Sequence, residues 1–296
     1  MIEFKNVSKN YGKKRCIKDI SFKIGRGELV GLLGLNGAGK STVMNMLTGY
    51  IYPTQGEILI DGINIVDERR KASKKIGYLP EVPPLYADMT VYETLKFVCD
   101  IRGVKDKKGK IDKILESAGL SEVTNRTVRR LSKGYKQRAG LAAAMVGEPE
   151  ILILDEPMAG LDPKQITEIR ELIRKGGKDR TVLISSHILS EISMLCSRII
   201  VLNDGEIAAD GEPGKLSEKK GNKIILKTSG DAEEAIREIK GVVSLSCDGT
   251  SYIIEAEKDI RSELFYKLAE TKCPILELEY NDLENTFLSI IDGVKE

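Results

Sequence analysis

Gly34-Leu35-Asn36-Gly37-Ala38-Gly39-Lys40-Ser41-Thr42 carries the densest chemistry in the chain. Gly34 to Ser41 fits the spacing G-x-x-x-x-G-K-[ST], after the apolar run Leu29–Leu33 and before a helix-like period that starts near Gly39. Glycines let backbone N–H groups turn inward around a phosphate, and a helix N-terminus adds a favourable dipole. Lys40 is long enough to reach the β- and γ-phosphates of a nucleotide, and the Ser41 hydroxyl suits Mg²⁺. A glycine-rich turn without a ligand is the bland alternative.

Four further segments follow in order. LSKGYKQR starts at Leu131, ILILDEP at Ile151 and AGLD at Ala159, and the chain's only histidine, His187, stands in LISSHIL. The apolar run in ILILDEP reads as a buried strand with Asp155 and Glu156 at its end. There Asp155 can hold the Mg²⁺ shell, and Glu156 can polarise a water that attacks a phosphoanhydride. A solvated strand end is the alternative for both acids. Ser132 can cap the helix that begins after it, and Gly134 lets that backbone approach a ligand. Asp162-Pro163 is also a good N-cap and first-turn pair for a helix. A lone histidine is more often structural than chemical.

Taken in this order, the segments resemble the ATP-binding subunit of an ABC transporter, over residues 1 to about 216. LSKGY stands where that family has its defining LSGGQ sequence, which other phosphate-loop ATPases lack. The resemblance implies that ATP and Mg²⁺ are bound, with Lys40 on the phosphates, Ser41 and Asp155 on the metal, and Glu156 activating water. His187 matches the switch histidine that contacts the γ-phosphate. Ser132 and Gly134 match the helix end that binds the γ-phosphate held by a second subunit, so two chains sandwich two ATP molecules head to tail. Asp162 matches the loop that couples the two sites. Tyr11, in SKNYGKK, falls where the family places an aromatic that stacks on adenine, with strand-end packing as its alternative.

Three residues depart from the family pattern. Lys133 replaces a glycine and Tyr135 a glutamine, which leaves Ser132 and Gly134 intact. Glu81, in IGYLPE, replaces the glutamine that touches Mg²⁺ and the attacking water. A carboxylate can ligate Mg²⁺ but repels the γ-phosphate more than an amide does, and an exposed loop acid is the other reading.

The resemblance also implies partners: a second nucleotide-binding subunit, identical or a close paralogue, and a separate integral membrane permease met by the region around Glu81 and Pro83–Phe97. The expected place is cytoplasmic, peripheral on the inner face of the membrane. YLPEVPPLY and the C-terminal tail are most similar to motors of ABC-2-type export systems. A soluble ATPase serving assembly, as in iron–sulfur cluster biogenesis, is the second reading. Chromosome and repair ATPases insert long heptad coils or zinc modules between phosphate loop and signature, and translation-linked members carry two cassettes; neither pattern occurs here.

Positioning these residues requires a mainly parallel α/β core. Apolar strands at Leu29–Leu33, Ile151–Leu154, Val182–Ile184 and Ile199–Leu202 alternate with helical patterns at Pro163–Arg174 and Ile188–Leu195. Ile2–Val7 and Ile17–Ile24 alternate as half-buried strands, and Glu57–Val66 reads as a hairpin broken at Asp61-Gly62, so an antiparallel β layer is added. A charged helical subdomain spans about residues 85–147. Composition shifts near Leu216–Lys223, which predicts a linker over 217–222 between an ATPase domain at 1–216 and an accessory domain at 223–296. The β-α-β-β-α-β order of the latter predicts a small α+β ferredoxin-like domain, closed by an amphipathic helix over Leu283–Ile291.

Bulk properties narrow the class further. A chain of 296 residues can bury a full core, and a net charge of +1 provides no basic field for nucleic acid. Five scattered cysteines without a C-x-x-C pair read as reduced thiols. The longest stretch free of strongly polar residues, 139–147, is far short of the ~18–20 residues that cross a bilayer.

Overall fold

The computed structural model describes residues 1–214, 222–257, 259–271 and 273–280. Two compact units divide the chain, Met1–Asp210 and Gly211–Glu296. In the first, β1 (Ile2–Tyr11), β2 (Lys14–Ile24), β4 (Gln55–Ile60) and β5 (Ile63–Asn64) form an antiparallel sheet in the order β2-β1-β4-β5. A second sheet holds β3 (Leu29–Leu33), β6 (Ile76–Leu79), β7 (Ile151–Leu154), β8 (Thr181–Ser186), β9 (Arg198–Asn203) and β10 (Glu206–Gly211), in the order β10-β9-β3-β8-β7-β6. The pairings β9-β3, β3-β8, β8-β7 and β7-β6 are all parallel, so these strands all end on one edge of the sheet.

Their apolar sequences are what such a position demands, since a parallel strand packed on both faces has no polar side to show. All six residues of β8 are buried. The helix α1 (Lys40–Leu47) ties the layers together. Phe4 and Ile58 of the antiparallel sheet, Met44 and Leu47 of α1, and Ile153 and Leu183 of the parallel sheet belong to one buried cluster. Two hairpins use adjacent residues with positive φ, Asp61-Gly62 (48° and 79°) and Asp204-Gly205 (44° and 81°), the geometry that matches strand twist.

Between β5 and β7 lie α2 (Arg69–Lys74), α3 (Val91–Arg102), α4 (Lys107–Ser117) and α5 (Lys133–Met145). The start of α3 is set by a capping box: Glu93 N donates to Thr90 Oγ1 (3.1 Å) and Thr90 N to the Glu93 carboxylate (2.8 Å). The remaining helices, α6 (Pro163–Gly176) and α7 (Leu189–Ser193), follow β7 and β8. α2 falls where periodicity predicts no element, because RRKASK has no apolar stripe and buries only Ala72. α7 is shorter than the pattern over 188–195 predicts. Among the described residues no helix is long and apolar enough to cross a membrane.

The second unit has β11 (Asn222–Thr228), α8 (Glu233–Arg237), β12 (Val242–Asp248), β13 (Ser251–Ala256), α9 (Arg261–Glu270) and β14 (Ile275–Tyr280). Its antiparallel sheet runs β12-β13-β11-β14, the split βαβ arrangement. Ile224, Leu226, Tyr252 and Ile254 on one face pack with Ile236 and Leu264 of the helices. Asn222, assigned above to a linker, already starts β11, while residues 215–221 and the expected helix over Leu283–Ile291 lie outside the described residues.

One polar cluster closes the antiparallel layer. The Asp61 carboxylate receives the α-ammonium of Met1 (2.9 Å), the Arg26 guanidinium (3.0 Å) and the Lys75 ammonium (2.8 Å). Burial alone would raise its pKa, but the hydrogen bonds from Lys75, the N-terminus and Arg26 outweigh it and hold the carboxyl well below its ordinary range. A depressed folded pKa adds stability above the unfolded value of about 3.9 and loses it as pH falls through the folded value. Asp61→Asn keeps the left-handed backbone, which asparagine tolerates, and removes the charge. It should cost about 1.5–3 kcal/mol at pH 7, the range for hydrogen bonds to a charged group. Urea unfolding of both forms checks this, and the gap should narrow as pH drops below about 4.

Candidate active site: a phosphate-binding cleft

The parallel sheet delivers three strand ends to one edge. β3 runs into Gly34, where an added Cβ would come within 2.5 Å of the Leu202 carbonyl oxygen, so only glycine fits. The loop then climbs to Gly39, the N-cap of α1, with φ of 109° and room for a Cβ only 2.6 Å from Ile17 Cδ1. Lys40 is the first helical residue and is buried. Its ammonium donates to the carbonyls of Gly34 (2.7 Å) and Leu35 (3.3 Å) and lies 3.2 Å from Glu156 Oε1.

β7 delivers the acids. Asp155 Oδ1 accepts from Ser185 Oγ at 2.5 Å, and the Ser41 side chain is near enough to favour the charged form of the same carboxyl group. Burial raises the Asp155 pKa, Ser185 and Ser41 oppose that, Glu156 pushes it up and Lys40 pulls it down. Glu156 adopts a left-handed backbone (φ 46°), a conformation that costs a non-glycine residue energy. Its N–H donates to Ser185 Oγ (2.8 Å), which steadies that turn. The turn aims the carboxylate between two cationic or imidazole partners, Lys40 at 3.2 Å and His187 Nδ1 at 3.0 Å.

Leu35, Asn36, Gly37, Gly39, Lys40, Ser41 and Thr42 line one cleft of about 380 Å³ together with Glu81, Glu156 and His187. Gly34, Ala38 and Asp155 are buried, and Asp155 reaches the cleft through Ser41. Glu81 is exposed on the cleft wall. Tyr11 is not among the lining residues; it is half exposed at the end of β1, with the Lys9 ammonium 5.4 Å from its ring centre. Its register partner on β2, Lys14, does line the cleft, as does Cys16, whose Sγ lies 3.4 Å from Thr42 Oγ1. Neither Lys14 nor Cys16 carries a motif that would have marked it. Ser185 likewise belongs to no phosphate or metal motif, although its place two residues before His187 is a usable signal.

Ser132, Gly134 and Asp162 stand elsewhere, lining a separate cavity of about 220 Å³ at the N-termini of α5 and α6. Ser132 caps α5 through a bond from Tyr135 N (3.4 Å), and Asp162 caps α6 through a bond from Gln165 N (2.9 Å). A Cβ on Gly134 would meet Gln165 Cδ at 2.9 Å, so the two helix ends pack as closely as glycine allows. The Lys133 ammonium lies against Gly160, between the two cavities in sequence. One chain therefore places these two groups of residues in separate cavities at different places on its surface.

The metal-binding candidates fit a hard divalent cation. Ser41, Asp155 and Glu81 supply only oxygen, the donor Mg²⁺ prefers. No cluster of three or more His, Cys, Asp or Glu converges among the described residues. That sparse set matches an ion held by one or two protein oxygens plus substrate phosphates and water, rather than a cage built by the protein.

Known proteins share this fold. The ABC transporter family model matches residues 17–159. The bacitracin transport ATP-binding protein BcrA of Bacillus licheniformis is 41% identical over 209 residues, covering 70% of this chain and 68% of its own. The linearmycin resistance ATP-binding protein LnrL of Bacillus subtilis is 35% identical over 265 residues, 88% of this chain and 85% of its own. Among solved structures, a dimeric ATP-binding cassette in a post-hydrolysis state bound to ADP and Pi superposes with a TM-score of 0.66 at 28% identity, covering 72% of this chain and 98% of that one. With phosphate loop, strand-end acids and signature helix all in place, the chain belongs to the ATP-binding subunits of ABC transporters and is an ATPase.

Proposed function

We propose that this chain is the cytoplasmic motor of an exporter, closing as a dimer on two Mg²⁺·ATP and opening after hydrolysis. The observation that carries the reading is the bracketing of Glu156 between Lys40 and His187 in a cleft whose signature residues lie elsewhere on the same chain. A second copy, turned head to tail, brings its Ser132 and Gly134 to the phosphates held by Lys40. The relatives named for bacitracin transport and linearmycin resistance support export, and a separate permease supplies the path across the membrane. The peripheral place on the inner membrane face follows from that assembly.

Each residue then has a task set by its surroundings. Inward N–H groups of the loop from Gly34 to Thr42 hold the phosphates, and Lys40 contributes its ammonium. Oxygens of the γ-phosphate compete with Glu156 for that ammonium, which frees the Glu156 carboxylate to accept a proton from water. Ser41 and Asp155, with Glu81 at the wall, would hold Mg²⁺, which when bound neutralises charge on the β- and γ-oxygens. His187 contacts the γ-phosphate and keeps Glu156 oriented through the 3.0 Å contact. Tyr11, paired across the hairpin with the cleft-lining Lys14, offers a π face to adenine. Asp162 fixes the start of α6 beside the signature, which ties the loop after Glu156 to the cavity of the second half-site.

Glu156→Gln should bind ATP normally and lose roughly 10²–10⁴-fold in turnover, the loss that follows removal of a general base. Lys40→Ala should fail earlier, at nucleotide capture, measured by fluorescent-nucleotide titration. In light scattering, Glu156→Gln with ATP should shift from monomer to dimer, and adding Ser132→Arg should abolish that shift. A monomer throughout would sink the two-chain site. Extracted from its native membrane, the chain should bring a polytopic protein with it; recovery with soluble partners alone would overturn the transport role.

A further inference from the structure

Two adjacent serines close β8, and neighbouring residues of a strand point to opposite faces. Ser185 faces the acids and holds both Asp155 and Glu156, as described above. Ser186 faces α7 instead. Its hydroxyl donates to Glu191 Oε2 (3.1 Å) and accepts from Ile188 N (3.0 Å). The residue enclosed by that second bond is His187. The loop carrying the histidine is therefore closed by one hydroxyl, whose own partner is a carboxylate from the next helix.

Glu191 is only 8% exposed, and Ser186 is 1% exposed. Among the described residues the Glu191 carboxylate accepts a single hydrogen bond, from Ser186. Arg170 is near enough to favour its charge but donates to Met194 Sδ rather than to Glu191. A buried carboxylate with one neutral donor is expensive to keep, and packing alone would favour an apolar side chain there. What the carboxylate does is orient a rotor. A hydroxyl has one proton and two lone pairs. With the proton committed to Glu191 Oε2, a lone pair is turned to the Ile188 N–H. Without that acceptor, the hydroxyl can rotate and the turn around His187 loses its latch.

We propose that Glu191 is a positioning residue for His187, acting through the Ser186 hydroxyl, so that the imidazole is held against Glu156 and toward the γ-phosphate. The inference rests on the role assigned above to His187. It predicts effects on steps that involve the γ-phosphate and none on those that do not.

The test compares Glu191→Ala, Glu191→Gln, Ser186→Ala, His187→Ala and the double variant Glu191→Ala/His187→Ala. Turnover, Kd for ATP, Kd for ADP and thermal unfolding are measured for each. Misplacing a contact by about 1 Å can cost on the order of 10²-fold, so Glu191→Ala should approach the turnover of His187→Ala. Ser186→Ala should do the same without emptying the carboxylate's site. The double variant should be no slower than His187→Ala alone, because residues acting through one another are not additive. In Glu191→Gln the amide oxygen still accepts from Ser186, and turnover should return to within about threefold of the parent, the scale of one neutral hydrogen bond. ADP affinity should stay constant in all of them. Multiplying losses in the double variant, or an equal fall in ADP and ATP affinity, would mean that Glu191 is only structural. If Glu191→Ala does not fold, unchanged turnover in Ser186→Ala overturns the link by itself. Full turnover in His187→Ala is a different result: it removes the role of His187 and the present inference with it.

Discussion

A buried ammonium and a buried carboxylate, Lys40 and Glu156, face one another at 3.2 Å with side chains only 6% and 9% exposed. Neither charge is stable so far from water without partners. Much of the first unit can be understood as the frame that meets this condition. The phosphate loop turns two carbonyls onto the lysine, and β7 ends so that Glu156 arrives opposite it. His187 takes the other carboxylate oxygen. The pair is held from several sides, and in the proposed cycle each member gains a competing partner, a triphosphate for Lys40 and a water for Glu156. That is the property a hydrolytic site requires.

Hydroxyls do much of the positioning. Ser41 and Ser185 both reach Asp155, Ser185 also caps the strained Glu156 turn, and Ser186 latches the loop of His187. A serine hydroxyl can donate and accept at once, so it links a carboxylate to a backbone N–H without adding charge. A lysine or arginine in any of these places would compete with Lys40 for the acids. The cleft therefore concentrates its positive charge where phosphate must sit.

The site is divided by the topology of the chain. α5 and α6 begin side by side, which puts Ser132 and Asp162 at one cavity, while Lys40 and Glu156 lie in another. Close approach at Gly134 and the lysine lying on Gly160 make the signature end a packed unit with the loop that follows Glu156.

Sequence alone determined the local devices: a strand running into a glycine loop and a helix, two acids after ILIL, a serine and an aspartate each ahead of a helix. These are legible because a few consecutive residues define their geometry. Most strands and helices of the core could be read for the same reason, while α2 could not, since five of its six residues are polar and Ala72 alone makes no stripe. The tertiary structure decided what those devices touch. The order β9-β3-β8-β7 brings Ser185 to Asp155 and His187 to Glu156, partners about thirty residues apart whose contact no local pattern encodes. It also brought Lys14 and Cys16 into the cleft wall and left Tyr11 off it, because side-chain direction at the end of a hairpin depends on register and twist rather than on residue type.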